Sequence, residues 1–200
     1  MNNHNSHLKI ENNVKSNPCI DKLTDLEYLE HMIPHHQVAI DMSVLLQKHT
    51  SSDVMLNLCR EIIRIQSYEI FEMSKMKAYK DTLFTDDKWI KEKINTKLDT
   101  YNPILSKAKE GECNPLFFKP NDHSQHMKGM KLTDRSYLEH MIPHHQVAID
   151  MSRRLLLHTN NSYLLEFCRK LILSQQSEIL YMNNLLMNID FLYKSKLLQN

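Results

Sequence analysis

One segment of sixteen residues occurs twice in this chain, and its two copies are identical. The sequence YLEHMIPHHQVAIDMS fills positions 28–43 and returns, 109 residues later, at 137–152. A second shared pattern, Gln-x-x-Glu-Ile-x-x-Met, follows at 66–73 and 175–182. This period is too long for a solenoid, whose repeats span roughly 20–50 residues. The repetition instead predicts one module that has been duplicated. The same functional or structural constraint then explains why the sixteen residues stayed identical in both copies.

Each copy has the sequence pattern of a helical hairpin. Thr24 can cap the first helix, with Glu27 completing a capping box, and the apolar residues that follow recur at helical spacing. A short polar turn separates this helix from a second one with the same periodicity. The expected helices span about 25–49, 56–73, 134–158 and 163 to beyond 187.

Several sequence features are not expected in two uninterrupted, identical helical hairpins. Pro34 and Pro143 lack the backbone N–H inside the first helix of each copy, so we expect a kink or a split-off leading turn. In the second copy Ser136 stands where the first copy has the capping-box glutamate. Between the copies we expect a helix at about 86–100 and a loop at 116–131.

Two hairpins with duplicated apolar faces predict an all-α fold. We expect tandem helical hairpins that form a four-helix bundle with pseudo-two-fold symmetry, in which equivalent surfaces pair. Only two glycines occur in the chain, which fits a helical fold with few tight turns. The predicted organisation is a polar N-terminal segment at 1–22, a first hairpin module at 23–80, a partly helical linker at 81–131 and a second hairpin module at 132–200.

Charge and composition argue against several classes of protein. A net charge of +1 at pH 7 disfavours a nucleic-acid binder. No apolar run approaches the roughly 18 residues of a membrane span, and no secretory signal is visible, so we expect a cytoplasmic, intracellular protein. The four cysteines form no C-x-x-C pair, which favours free thiols over structural zinc. We expect either a monomer or a homodimer that completes the bundle.

Histidine and methionine are unusually frequent, with twelve of each, and many stand at duplicated positions. At about 100° per residue, one sector of the first helix carries histidines and methionines together, and a methionine of the second helix faces it. Imidazole with thioether favours a soft monovalent ion, so we expect a copper ion as Cu(I), with Ag(I) following by the same softness. The predicted metal ligands are His31, Met32, His35, His36, Met42 and Met73, with their copies His140, Met141, His144, His145, Met151 and Met182.

Other polar and soft side chains accompany these ligands. The first group consists of polar residues of the second helix in each copy: Gln66, Glu69, Gln175 and Glu178. The two glutamates can hydrogen-bond a ligand imidazole or bind Cu(II) directly. The two glutamines can simply form hydrogen bonds across the bundle. A second group has no copy and is interpreted as an auxiliary or access site for metal on a loop, and it comprises His123, His126, Met127 and Met130.

Simpler interpretations apply to each residue taken alone. A single methionine at helical spacing is usually core packing, and Cys59 and Cys168 fit buried apolar positions. His49 and His158 fit helix ends, where the dipole favours a cation. Several histidines packed together without partners would be costly to desolvate, so metal binding is the better interpretation for the repeated cluster.

The order of these motifs resembles a known family. The sequence HMIPHHQVAIDM at 31–42 and 140–151, each time followed by Gln-x-x-Glu-Ile-x-x-Met, resembles the domain-of-unknown-function 305 family, which includes CopM-like copper-binding proteins with a ferritin-like helical fold. The resemblance covers about 23–80 and 132–190 as two tandem copies. It implies copper binding through the duplicated histidine and methionine positions.

These observations favour a non-enzymatic copper-binding protein for metal buffering, tolerance or hand-over, the last of which requires a copper donor or acceptor protein as partner. A di-iron ferritin-like oxidoreductase is an alternative, but it needs Glu-x-x-His on two helices, and the sequence contains no such motif. A haem-binding bundle with His and Met axial ligands leaves the repeated cluster unexplained. A structural helical module without metal is the remaining alternative, in which histidine and methionine only pack.

Overall fold

The computed structural model of the protein describes residues 23–79, 114–127 and 131–189. All regular elements in these ranges are helical, which confirms the predicted all-α fold. The helix expected at 86–100 lies outside the described residues, as does Met130. The elements are α1 (Asp25–Gln47), α2 (Asp53–Ala78), a 3₁₀ turn (Pro115–Phe118), α3 (Pro120–Met127), α4 (Asp134–Leu156) and α5 (Ser162–Met187).

The first helix of each copy begins with a capping box. The Thr24 hydroxyl accepts a hydrogen bond from the Glu27 N–H at 3.2 Å, and the Glu27 carboxylate accepts one from the Thr24 N–H at 2.9 Å. In α4 the Ser136 hydroxyl accepts from the Thr133 N–H at 3.0 Å. Serine therefore closes the box where the first copy uses glutamate, and both copies begin with the same geometry.

The internal prolines do not divide their helices. Helix α1 runs unbroken through Pro34, and α4 runs unbroken through Pro143. The predicted split into a short leading turn is therefore wrong. A proline removes only one backbone hydrogen bond of the helix, and buried residues on both sides of it keep the helix in place through tertiary packing.

The segment that follows Asn114 is helical, whereas the sequence predicted a loop at 116–131. The Asn114 side chain accepts a hydrogen bond from the Leu116 N–H at 2.9 Å and so caps the 3₁₀ turn, and α3 follows almost directly. Both elements pack against α1. A polar helix of eight residues carries too few apolar positions for periodicity to show, so tertiary contact determines its structure.

The two hairpins meet through reciprocal contacts. Helices α1 and α2 form one hairpin, α4 and α5 form the other, and they pack along α1 and α4. The Tyr28 hydroxyl lies 2.7 Å from Ser152 Oγ, and the Tyr137 hydroxyl lies 2.7 Å from Ser43 Oγ. These residues occupy equivalent positions in the two copies, so one contact is made twice, as copies related by a two-fold axis require. The ferritin-like class of this bundle stays a prediction.

Two apolar clusters fill the bundle, and each takes side chains from both copies. One contains Tyr28 of α1 with Leu171 of α5, and the other contains Leu46 of α1 with Leu138 of α4. All of these side chains are fully buried. In the three described ranges, no helix has the length and apolar character needed to cross a membrane.

Candidate metal centre

Two histidines face each other where the hairpins meet. His35 of α1 and His144 of α4 stack with their ring centroids 3.6 Å apart and their planes at 27°. Both side chains are fully buried, and none of their four ring nitrogens has a hydrogen-bond partner in the part of the chain that the structure describes. Burying such polar atoms without partners is unfavourable, which sets this pair apart from ordinary core packing.

The environment keeps both of these rings neutral. Burial lowers the pKa of His35 and of His144 well below the usual histidine value, and the neighbouring histidines lower both further. A neutral imidazole has one nitrogen with a free lone pair, which is the form that binds a metal ion. The stacked pair therefore presents donor atoms rather than positive charge at the centre of the protein.

A second pair of buried histidines is held by carboxylates. His36 Nε2 lies 2.9 Å from Glu69 Oε2, and His145 Nε2 lies 2.6 Å from Glu178 Oε2 at the equivalent position. A carboxylate accepts hydrogen bonds, so Nε2 donates and Nδ1 is the ring nitrogen left to bind a metal ion. Nδ1 of both histidines is buried and lacks a hydrogen-bond partner among the described residues. Metal-binding histidines commonly donate their second N–H to a carboxylate in this way.

The glutamine positions distinguish the two copies. Gln66 Nε2 reaches across the bundle to lie 3.5 Å from His145 Nε2. Gln175 is the equivalent residue of the second copy and is also buried, but neither atom of its amide has a hydrogen-bond partner within the described ranges. Gln66 therefore contacts the site from the opposite copy, whereas Gln175 leaves a polar group unbonded in the interior.

The 3₁₀ turn covers the histidines with two aromatic rings. Phe117 lies edge-on to His144 at 4.8 Å between ring centroids, and Phe118 lies 5.3 Å from His35. Phe117 also contacts His140 at 5.0 Å, and Phe118 contacts His31 at 5.9 Å. Sequence analysis missed this cover, although two adjacent phenylalanines in a polar stretch are the signal that could have revealed it. Apolar rings at this position exclude water from one side of the stacked pair.

The group without a copy is only partly assembled. His123 of α3 is buried, and its Nε2 atom lies 3.4 Å from His140 Nε2. Met127 of the same helix is buried as well, whereas His126 is exposed to solvent. Burial, with a smaller contribution from the neighbouring histidines, lowers the pKa of His140 to about 4. Helix α3 thus brings an unduplicated histidine to one end of the imidazole cluster.

The six predicted methionine ligands are all buried, but they do not form one group. Met32, Met73 and Met151 belong to one apolar cluster. The equivalent residues Met141, Met182 and Met42 belong to the other. Met32 and Met42 of α1 therefore lie in different clusters, and the structure does not bring their thioethers together. Each cluster receives thioethers from both copies.

Nitrogen donors alone do not complete a metal site in this structure. Within the described ranges, no three side chains of histidine, cysteine, aspartate or glutamate converge in a geometry that holds a metal ion. The available donors are neutral imidazoles with unbonded nitrogens and buried thioethers, a combination suited to soft monovalent ions. Hard divalent ions prefer several oxygen ligands, which the buried set lacks.

The remaining residues singled out in the sequence have structural surroundings. The thiols of Cys59 and Cys168 are free and buried, and burial raises their pKa to about 11 and about 12. Both thiols therefore stay protonated and unreactive at neutral pH. His158 Nε2 lies 2.6 Å from the Leu23 carbonyl oxygen, and His49 lies exposed beyond the end of α1.

Comparison with known proteins identifies the family. The model of a family described as a domain of unknown function (DUF305) matches residues 25–186, which include both hairpins and the segment between them. The chain belongs to this family. A relative within the curated proteins is the uncharacterized protein L153 of Acanthamoeba polyphaga mimivirus, 40% identical over 55 residues. That match covers 28% of this chain and 36% of the viral protein, so it spans about a third of the relative's length.

Solved structures of CopM share the fold of this family member. The Cu(II)-bound form of CopM is 27% identical, with a TM-score of 0.58 over 84% of this chain and 99% of CopM. The Ag-bound form obtained by soaking is 26% identical, with a TM-score of 0.59 over 84% and 98% of the two chains. A DUF305 fragment from Deinococcus radiodurans, at 17% identity, has a TM-score of 0.52 over 82% and 95%. The described helices therefore form a CopM-like helical bundle.

Proposed function

We propose that this protein binds copper as its cargo, in the Cu(I) state, and buffers it. The observation that carries the proposal is the duplicated carboxylate–histidine contact, Glu69 with His36 and Glu178 with His145. In both copies it leaves a buried Nδ1 atom with no hydrogen-bond partner among the described residues. A bound ion would satisfy these atoms, and the carboxylate would fix the ring that holds it.

The proposed oxidation state follows from the charge of the donors. Imidazoles and thioethers are neutral, so a monovalent ion brings only one net charge into the low-dielectric interior. The carboxylates of Glu69 and Glu178 lie against His36 and His145, and each already bonds a ring nitrogen. This set supports Cu(I), with Ag(I) as its chemical analogue.

The relatives support the same ligand. CopM has been crystallised in Cu(I)-bound, Cu(II)-bound and Ag-bound forms, at 26–27% identity to this chain. The proposed ligands are the duplicated histidines and methionines, and the proposed hydrogen-bond partners or alternative ligands are Gln66, Glu69, Gln175 and Glu178.

Burial of the ligands favours buffering over rapid hand-over. His35, His36 and their copies are fully covered by protein, so an ion bound there can leave only after the structure opens. A copper donor or acceptor protein would have to act while the bundle is open. The proposal is non-enzymatic, because His35, His36 and their copies are enclosed by protein, where a substrate does not reach them.

Elemental analysis tests the proposal directly. The protein is expressed in medium that contains copper, zinc, iron and nickel, purified anaerobically, and compared with the variant H35A/H36A/H144A/H145A. We expect copper in the natural protein and loss of most of it in the variant. The matched control is S43A/S152A, which alters two buried hydroxyls of the same helices but removes no proposed ligand. Copper-free natural protein after reconstitution with Cu(I) would overturn the proposal.

A further inference from the structure

Among the described residues, the imidazole cluster extends beyond the duplicated positions at its His140 end. His140 of the second copy meets His123, with 5.2 Å between their ring centroids and 3.4 Å between their Nε2 atoms. The equivalent residue of the first copy, His31, has Phe118 edge-on at 5.9 Å. The position 109 residues before His123 is Val14, so the sequence repeat supplies no matching histidine. In the part of the chain that the structure describes, His140 thus has a histidine neighbour from α3 and His31 has a phenylalanine neighbour from the 3₁₀ turn.

The distance between the two nitrogens suits a shared ion. A metal ion about 2.0 Å from each Nε2 atom, the usual metal–imidazole distance, would subtend roughly 115° between His123 and His140. This angle is close to that of trigonal coordination and leaves a third position for another donor. Met127 lies one turn after His123 on the same face of α3 and is buried, so its thioether can supply that donor.

Two of these residues, His123 and Met127, also line a groove that is open to solvent. An open groove of about 550 Å³ runs between the end of α1 and helix α3, and His123, Met127 and Asp41 are among the residues that line it. On its inner side the pair adjoins the stacked histidines, because the His140 and His144 rings of α4 lie 6.5 Å apart. An ion at this position would touch both the groove and the buried cluster.

We propose that His123, His140 and Met127 form a separate binding site for one soft monovalent ion, Cu(I) or Ag(I), open to the groove beside the buried histidines. This inference rests on the proposed function for the source of the ion, but it uses residues of α3 that have no copy. It makes the two halves of the protein inequivalent toward metal.

Stoichiometry provides the first test. The full chain is titrated anaerobically with Ag(I), which is not redox-active under these conditions, and the bound equivalents are counted by calorimetry. We expect the variant H123A to bind one equivalent fewer than the natural protein. The matched control H49A removes an exposed histidine from the opposite wall of the same groove, and it should keep every equivalent. An unchanged count in H123A would overturn the proposal.

A second variant separates this site from the central one. H35A/H36A/H144A/H145A should retain the single equivalent that H123A removes, and adding H123A to it should abolish binding. If the natural protein bound no Ag(I), the proposed function would fail as well. If the natural protein bound Ag(I) and H123A bound it equally, only the α3 site would fail.

A measurement on the unaltered chain covers the case in which H123A does not fold. The imidazole nitrogens are followed by nitrogen-15 NMR while one equivalent of Ag(I) is added after the tighter sites are filled. We expect the resonances of His123 and His140 to shift together while that of His49 stays in place. Shifts confined to other histidines would contradict the site.

Discussion

The hydroxyl groups of Tyr28 and Ser152 lie 2.7 Å apart between the two hairpins, and their counterparts Tyr137 and Ser43 form the same contact at the same distance. Each bond is buried and joins the two hairpins, and the Ser43 hydroxyl also donates to the Ala39 carbonyl oxygen at 2.7 Å. We expect Tyr28→Phe and Tyr137→Phe each to lower the free energy of unfolding by about 1 kcal/mol. Urea denaturation measures both. A large difference between the two variants would show that the hairpins do not depend on these contacts equally.

Acid should destabilise the protein through its buried histidines. The folded-state pKa values of His35 and His144 lie below the unfolded value of about 6.5, and that of His140 is about 4. Between these values the unfolded chain binds protons that the folded chain does not, so stability is greatest above about pH 6.5 and falls as the pH is lowered. Each such histidine contributes a slope of up to about 1.4 kcal/mol per pH unit. Urea unfolding at pH 7.0 and 5.5 measures the loss, and equal stability at both values would contradict this assignment.

The carboxylate partners should set metal affinity without holding the fold together. Glu69→Gln and Glu178→Gln keep the side-chain shape but weaken the hydrogen bonds to His36 and His145. Loss of such hydrogen-bond partners usually reduces metal affinity roughly 10- to 100-fold. Competition with a Cu(I) chelator measures the change. Glu61→Gln on the exposed face of α2 is the control and should leave affinity unchanged. Equal affinity in all three variants would argue against His36 and His145 as ligands.

Methionine substitutions can separate packing from ligation. Met73→Leu and Met182→Leu conserve volume, so we expect unfolding free energies within about 1.5 kcal/mol of the natural protein. Both variants should lose Cu(I) affinity, because leucine offers no sulfur donor. Met76→Leu is the control, since Met76 is buried in α2 but is not a proposed ligand. If all three variants bind Cu(I) alike, the thioethers of α2 and α5 serve only as core.

Removing the aromatic cover should expose the stacked histidines. Phe117 is 2% exposed, and Phe117→Ala should lower the free energy of unfolding by about 3 kcal/mol. The same change should speed the release of Cu(I) to a chelator, because water reaches His35 and His144. Phe71→Ala is the matched control, as Phe71 is 55% exposed on α2. Release rates that match the natural protein would show that the turn does not limit access.

Local signals were enough to predict the four long helices. Thr24 and Glu27 mark a helix start by a bond within one turn, and periodic apolar residues mark the buried face. Such signals involve residues that are close in sequence, so they can be recognised without knowledge of the fold. The same holds for Glu69, whose spacing from Met73 placed it on the face that contacts His36.

Contacts between distant parts of the chain were beyond this reasoning. The stacking of His35 on His144 depends on how the hairpins dock, and helical geometry within one copy does not determine docking. The division of the methionines between two clusters has the same origin, because Met32 shares its cluster with Met151 of the opposite copy and Met42 shares its own with Met141 and Met182. The aromatic cover depends on a short turn that has no counterpart in the repeat.

The position of the 3₁₀ turn between the two copies has a consequence for biosynthesis. Helices α1 and α2 leave the ribosome first, then Phe117 and Phe118, and only afterwards α4 with His144. Until then the His35 ring lacks its stacking partner from the opposite hairpin. A nascent chain therefore passes through a stage in which the imidazoles of its first half lack those of the second, and the stacked pair forms only when translation reaches the second half.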